Sequence, residues 1–277
     1  MKIGQYNTLK LNRMVDFGAY LIDEQGNEVL MPRRYLTPDM HLGEMVEVFV
    51  YNDSENRPVA TTERPLAVVG DTCLMRVKAV DAVGAFLDWG LAAKDLLVPF
   101  REQRVRMQTG RSYIVHVYLD QETNRIVASA KIDRWVNKTK PDYYHRQMVN
   151  LLVVQRTDLG YKVLVDNCHW GLIYQNETYR DVNVGDQITG FVKQVRPDGK
   201  IDVTIEKMEK LRIDDLAKAI LQHLHNHGGS MSLSDKSTPE QISATFSCSK
   251  KDFKKAIGLL YKQHLITLDN AVHLVKQ

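Results

Sequence analysis

Residues 43–61 read GEMVEVFVYNDSENRPVAT, and residues 110–129 read GRSYIVHVYLDQETNRIVAS. Each stretch opens on a glycine and reaches a tyrosine eight residues later, Gly43 to Tyr51 and Gly110 to Tyr118. Each then runs through an aspartate, a short turn, an arginine and a final apolar run. Val46, Val48 and Val50 alternate with Glu47 and Phe49, the period of a strand with one buried face. The two stretches are copies of one internal repeat.

The repeat extends upstream. Phe17-Gly18-Ala19-Tyr20-Leu21 and Leu30-Met31-Pro32 precede the first copy, as Val83-Gly84-Ala85-Phe86-Leu87 and Leu97-Val98-Pro99 precede the second. A diverged third copy begins at Gly160-Tyr161-Lys162-Val163-Leu164-Val165, continues through Gly171-Leu172-Ile173-Tyr174 and a run from Gly185 to Val192, and ends at Pro197 to Thr204. Asp198-Gly199 is a hairpin turn signal, and Ile201, Val203 and Ile205 alternate with Asp202, Thr204 and Glu206. Five short strands per unit must close on themselves to hide their edges, so each copy is expected to be a small barrel. The expected units are 1–64, 65–136 and 143–210, with a tight junction at Arg64-Pro65 and a polar, flexible joint at residues 137–142.

Residues 211–277 change period from two to 3.6. Leu216, Ala217, Ile220, Leu221 and Leu224 form a helical stripe that ends at Gly228-Gly229. Thr238-Pro239-Glu240-Gln241 is a helix start with a capping box, and Ser249-Lys250-Lys251-Asp252 is a second. Two short strands follow, at residues 265–268 and 272–275, with a turn at Asp269-Asn270. Three helices and a hairpin make a winged-helix order. The expected fold is mainly β: three tandem five-stranded barrels, then a small α+β winged-helix domain. Lys250, Lys251, Lys254 and Lys255 fall on the solvent side of its third helix, where such folds place a groove-reading helix. That face suits nucleic acid, DNA included, or a protein.

Composition excludes several classes. The chain has 277 residues, 44% hydrophobic and 26% charged, with a net charge of +3. That charge is too small for a bulk field, so phosphate binding would rest on local patches such as Arg101, Arg104, Arg106 and Arg111. No apolar run is long enough to span a bilayer and no signal peptide is visible, so the expectation is a cytoplasmic chain with no membrane partner. Three scattered cysteines, at 73, 168 and 248, argue against a disulfide framework or a zinc site. His223 and His227 are four apart but lack a third ligand, and Cys168-His169 are adjacent, which points them apart on a strand. No nucleotide-binding or metalloprotease motif is present. The expectation is a chain with no enzyme activity, cofactor, metal or small-molecule substrate.

On the quoted motifs, the repeated units resemble S1-type RNA-binding domains, which are oligonucleotide-binding barrels. Phe17, Tyr20, Asp53 and Arg57 match the family pattern in the first copy, and Phe86, Asp120 and Arg125 in the second. Tyr161 and Lys200 match in the third, while Pro32, Pro99 and Tyr174 stand at the family's histidine. Three such barrels and a winged helix containing residues 235–240 and 249–263 resemble the bacterial conserved virulence factor B family over nearly the whole chain. The resemblance implies a non-enzymatic RNA-binding protein that acts on gene expression after transcription. Aromatic faces would stack bases and cations would meet phosphates. The expected RNA-binding residues are Phe17, Tyr20, Arg57, Phe86, Arg101, Arg104, Arg125, Tyr161, Tyr174 and Lys200. A second expectation, from a different class, is a ribosome- or polymerase-associated protein scaffold whose barrels no longer hold RNA tightly.

Overall fold

The computed structural model describes residues 1–175, 181–205, 209–269 and 271–275. Glu206 and Asn270, expected in a strand and a turn, lie outside the described residues. The first unit contains β1 (Gln5–Val15), β2 (Gly18–Ile22), β3 (Glu28–Pro32), β4 (Met45–Asn52) and β5 (Pro58–Thr61). The second contains β6 (Thr72–Val80), β7 (Gly84–Leu91), β8 (Lys94–Pro99), β9 (Ser112–Asp120) and β10 (Arg125–Ser129). The third contains β11 (Met148–Thr157), β12 (Gly160–Val165), β13 (His169–Tyr174), β14 (Gln187–Val195) and β15 (Ile201–Thr204).

Barrel 1 closes in the order β1-β2-β3-β5-β4, and barrel 3 in the matching order β11-β12-β13-β15-β14. Their seams are parallel pairs, Leu30 opposite Val59 and Leu172 opposite Asp202. The second unit runs β10-β9-β6-β7-β8. Its edge strands meet through Leu96, Val98, Ile126 and Ala128 in one core, rather than through a ladder among the described residues.

Each first strand carries a bulge, between Leu11 and Arg13, Val77 and Ala79, and Val153 and Gln155. An extra residue there bends the strand so that it can pair with two neighbours around a closed sheet. Just beyond, Gly18, Gly84 and Gly160 each face the next strand so closely that a Cβ would lie 2.2, 2.3 and 2.0 Å from the main-chain oxygens of Met31, Val98 and Ile173. The repeated glycine is therefore fixed by backbone approach.

Barrels 1 and 2 share apolar packing. Phe49, Tyr51 and Val59 of the first join the core built around Trp89 of the second. The Trp89 indole N–H donates to Ala67 O at 2.8 Å, and its ring meets Phe49 edge-on at 5.5 Å. Barrels 2 and 3 meet through Val136, Leu152 and Leu164, flanked by Ile114, Val154 and Trp170. The segment at 137–142, expected as a flexible joint, is tied to barrel 3. The Asn137 amide donates to Cys168 O at 2.8 Å, and Asn137 Oδ1 accepts from the Trp170 amide at 3.0 Å.

The last unit contains α1 (Glu209–Asn226), β16 (Ser230–Met231), α2 (Pro239–Phe246), α3 (Lys250–Lys262), β17 (Ile266–Leu268) and β18 (Val272–Leu274). The expected hairpin gains a third strand, in the order β16-β18-β17. Ile220, Leu224, Ile242, Phe253, Ala256, Ile257 and Leu260 form its core. Thr238 makes the expected reciprocal capping box with Gln241. Ser249 caps the Asp252 amide, and its hydroxyl donates to the Asp252 carboxylate at 2.8 Å. Among the described residues, no helix is long and apolar enough to cross a membrane.

Candidate nucleic-acid interface

The shared bulge and glycine put the three barrels in register. Tyr20 pairs with Leu30, Phe86 with Leu97 and Lys162 with Leu172, so Tyr20, Phe86 and Lys162 hold one equivalent outward position. Two residues along the third strand, Glu28, Asp95 and Trp170 are equivalent. At the turn before the last strand, Asp53 and Arg196 are equivalent, since the Asp53 amide donates to Arg57 O and the Arg196 amide to Lys200 O. Asp120 precedes Arg125 in the corresponding turn. Arg57, Arg125 and Lys200 complete the set.

In barrel 1 these groups are occupied by one another. Phe17 is 59% exposed and sits in the turn between β1 and β2. Tyr20 is half-buried, and the Arg13 guanidinium lies 3.8 Å from its ring centroid. Arg57 donates to Asp53 Oδ2 from Nε at 2.9 Å and from Nη2 at 2.8 Å, and meets Glu55 at 2.9 Å. The Asp53 hydrogen bond and charge raise the Arg57 pKa. Burial pushes the Asp53 carboxyl up, but hydrogen bonds from Arg57 and Glu55 outweigh it and hold the group below the usual carboxylate range.

Barrel 2 is more open. Val83, Phe86, Leu97 and Arg125 line a groove of about 370 Å³, which Asn52 and Asp53 of barrel 1 border. At the position of Arg13 stands Ala79, opposite Phe86, so no guanidinium from that position covers the ring. Among the described residues no carboxylate comes within ion-pair distance of Arg125. Lys94 lines the same groove and donates to Asp53 O at 3.3 Å. Burial holds its pKa down, and the Arg125 charge adds to that. Two cations thus face one half-buried aromatic ring. Lys94 carried no motif signal; only the fold brings it to Arg125.

Arg101 and Arg104 do not line this groove. Arg101 meets Asp120 at 3.2 Å, and Arg104 pairs with Asp133 while its Nε donates to Ala130 O at 3.0 Å. Arg104 instead lines the cleft between barrels 2 and 3. Trp135 stacks on His116 at 4.4 Å and packs at the barrel edge.

Barrel 3 departs most. Tyr161, expected as a stacking residue, packs against the core beside Val163 and Ile173, while Lys162 takes the outward position. Tyr174 Oη accepts from Arg196 Nη2 at 2.7 Å, and Arg196 meets the buried Asp202 at 2.5 Å. Lys200 meets Asp198 at 3.3 Å. On α3, Lys251, Lys254 and Lys255 are exposed, whereas Lys250 at its first position is half-buried.

Five-stranded β-barrels, the first and third closed by a parallel seam, followed by a winged helix, define a chain of nucleic-acid-binding modules. These are non-catalytic modules. A family model described as S1 domain matches residues 3–63, and one described as CvfB-like winged helix domain matches residues 218–272. The chain therefore has a CvfB-like architecture, tandem S1-type domains followed by a C-terminal winged-helix domain. Conserved virulence factor B of Staphylococcus saprophyticus is 23% identical over 239 residues, 84% of this chain and 80% of that protein. The uncharacterized protein YitL of Bacillus subtilis is 29% identical over 285 residues, 98% of this chain and 92% of that one. A crystal structure of a multidomain protein with nucleic acid binding domains from Streptococcus pneumoniae matches at 22% identity. Its TM-score is 0.41, with 99% of this chain and 98% of that chain covered.

Proposed function

We propose that the chain is a non-catalytic regulator that binds single-stranded RNA and acts on gene expression after transcription, with the barrel 2 groove as its principal site. The observation that carries this is the convergence of Phe86, Lys94 and Arg125 on one groove, with Arg125 outside any ion pair among the described residues. A base stacks on Phe86, and the two cations meet flanking phosphates. One stacked base is worth about 1–3 kcal/mol, so a single groove is a weak site. Barrels in series gain by effective concentration. The exposed Lys251, Lys254 and Lys255 add a second basic surface for nucleic acid or a protein partner.

The test is a titration of labelled 12–20-nucleotide single-stranded RNA, with DNA and duplex controls, at two salt concentrations. Binding that prefers single-stranded RNA and weakens with salt supports the reading. The double variant Phe86→Ala, Arg125→Gln is expected to lose affinity while keeping the wild-type thermal midpoint. Unchanged affinity in that variant overturns the choice of groove. A protein scaffold is the second reading, favoured by the self-paired face of barrel 1. Partners that survive nuclease treatment in a pull-down, with no RNA binding at low salt, support it.

A further inference from the structure

Barrels 2 and 3 are joined by the Val136, Leu152 and Leu164 core and by Asn167, whose Nδ2 donates to Gly70 O at 2.6 Å. Leu74 of barrel 2 seats on Gly185 of barrel 3, where a Cβ would lie 2.4 Å from Leu74 Cδ2. Gly185 has a φ of +98°, so both its backbone and this approach favour glycine. Leu74 also lines a cleft of about 370 Å³ between the two barrels. That volume is within the range of sites that hold small ligands, roughly 300–1,000 Å³.

The walls of this cleft are apolar and its polar groups are basic. Val105 of barrel 2 is 65% exposed and Val184 of barrel 3 is 45% exposed, and both line it with Ile114, Ile132 and Val154. Apolar surface from two barrels is thus left in water around one space. Arg104, Gln155 and Lys162 line the cleft as well, and no carboxylate does. Arg104 is held in place, with Nε donating to Ala130 O at 3.0 Å and Nη2 to Asp133, while its Nη1 has no partner among the described residues. Gln155 pairs with Lys162 across β11 and β12, which sets the two side chains next to each other. Asp133 Oδ1 lies 3.9 Å from the Lys162 ammonium, so two cations share one carboxylate and one positive charge is left over. Burial lowers the Lys162 pKa, and the charges of Arg104 and Lys200 push the same way against Asp133. The Trp170 ring is covered by the Lys162 ammonium at 3.7 Å, so the aliphatic walls are the surface open to a ligand.

We propose that the cleft between barrels 2 and 3 binds a small amphipathic carboxylate, its apolar body between Val105 and Val184 and its anionic head on Arg104 Nη1, Lys162 and the Gln155 amide. A nucleic-acid strand carries a charge at every step and would set phosphates against valine, leucine and isoleucine, at a desolvation cost. A neutral apolar ligand would leave the surplus cation unanswered. One anionic head on an apolar body satisfies both the walls and the charge. Because the walls come from two barrels, the ligand bridges them and favours the arrangement that closes on it. The cleft is separate from the barrel 2 groove, and the inference does not depend on the RNA reading.

The test titrates the full chain with decanoate and, separately, with indole-3-acetate, an alkyl and an aryl form of the same chemistry, by isothermal titration calorimetry and thermal melts. Saturable one-to-one binding of at least one, with a raised thermal midpoint, is expected, and the tighter ligand shows whether a chain or a ring fills the cleft. Arg104→Gln is expected to weaken that binding about 10- to 150-fold, the range of one lost hydrogen bond to a charged group. Val105→Asp, at an exposed position, sets a carboxylate in the apolar wall and is expected to abolish binding while keeping the ligand-free midpoint of wild type. No saturable binding of either carboxylate overturns the proposal. Binding that persists unchanged in both variants also overturns it, since the ligand then sits elsewhere. Loss of RNA affinity in Val105→Asp, with no carboxylate bound by wild type, overturns it in favour of an RNA strand in the cleft.

Discussion

The Arg13 guanidinium lies 3.8 Å from the centroid of the Tyr20 ring, and Glu28 holds it there, with Nη2 donating at 2.9 Å and Nε at 3.3 Å. The stacking face of barrel 1 is thereby covered by the chain's own cation. At the same register position in barrel 2 stands Ala79, opposite Phe86. The two rings, alike in sequence, differ in what a base would have to displace.

A difference between the two rings in RNA binding follows. Phe86→Ala is expected to weaken single-stranded RNA binding about 5- to 150-fold. Tyr20→Ala is expected to stay within about threefold of wild type, the range of an ordinary surface change. Fluorescence anisotropy titrations of both variants check this. Equal losses would mean that the Arg13 cap opens in the complex.

The joint between barrels 1 and 2 depends on Trp89, which is 1% exposed and meets Phe49 across the boundary. Trp89→Ala removes the ring and leaves Ala67 O without its donor, at a cost of about 3–5 kcal/mol. Chemical denaturation should show this as a lowered midpoint. A shift under about 1 kcal/mol would mean that the cavity collapses.

Acidification acts through His116. Burial lowers its pKa from the usual 6.5 to about 4, against Trp135 and beside Thr72 Oγ1 at 3.0 Å. As pH falls from about 6.5 to 4, the unfolded chain takes up a proton on this imidazole that the folded chain refuses, so the contribution of His116 to stability declines over that window. The loss is roughly 3 kcal/mol. Denaturation midpoints across this range should fall in wild type and fall less in His116→Gln.

In the winged helix, Thr238 accepts from the Gln241 amide, and the Gln241 side chain returns to the Thr238 amide at 3.0 Å. Thr238→Ala should destabilise this unit by about 1 kcal/mol. Thr238→Ser keeps the oxygen and should recover most of it. Thermal melts followed by circular dichroism separate the two.

The repeat made the barrels legible, because alternating valines, a turn and an arginine recur at fixed spacing and five short strands have few ways to hide their edges. The helical period after residue 211 and the Thr238 cap were equally local signals. The face of barrel 3 was not legible in this way. Tyr161 stands one residue after Gly160, where Tyr20 and Phe86 stand two after Gly18 and Gly84, so its pairing with Ile173 sets it against the core and leaves Lys162, opposite Leu172, outward. One residue along a strand changes the face, so a motif match off by one position names a side chain on the opposite face. Trp170 and Lys94 carried no motif at all.

The sequence by itself determined the order of modules, the strand periods and the ring-and-arginine pairs, because these follow from spacing along the chain. Only the tertiary structure decided which of those groups are engaged. Arg13 reaches Tyr20 across neighbouring strands, Asp53 and Glu55 hold Arg57, and Lys94 joins Arg125 at the border of two barrels. Whether a ring or a cation is open to a ligand depends on neighbours brought together by strand pairing and barrel packing, which spacing along one strand does not encode.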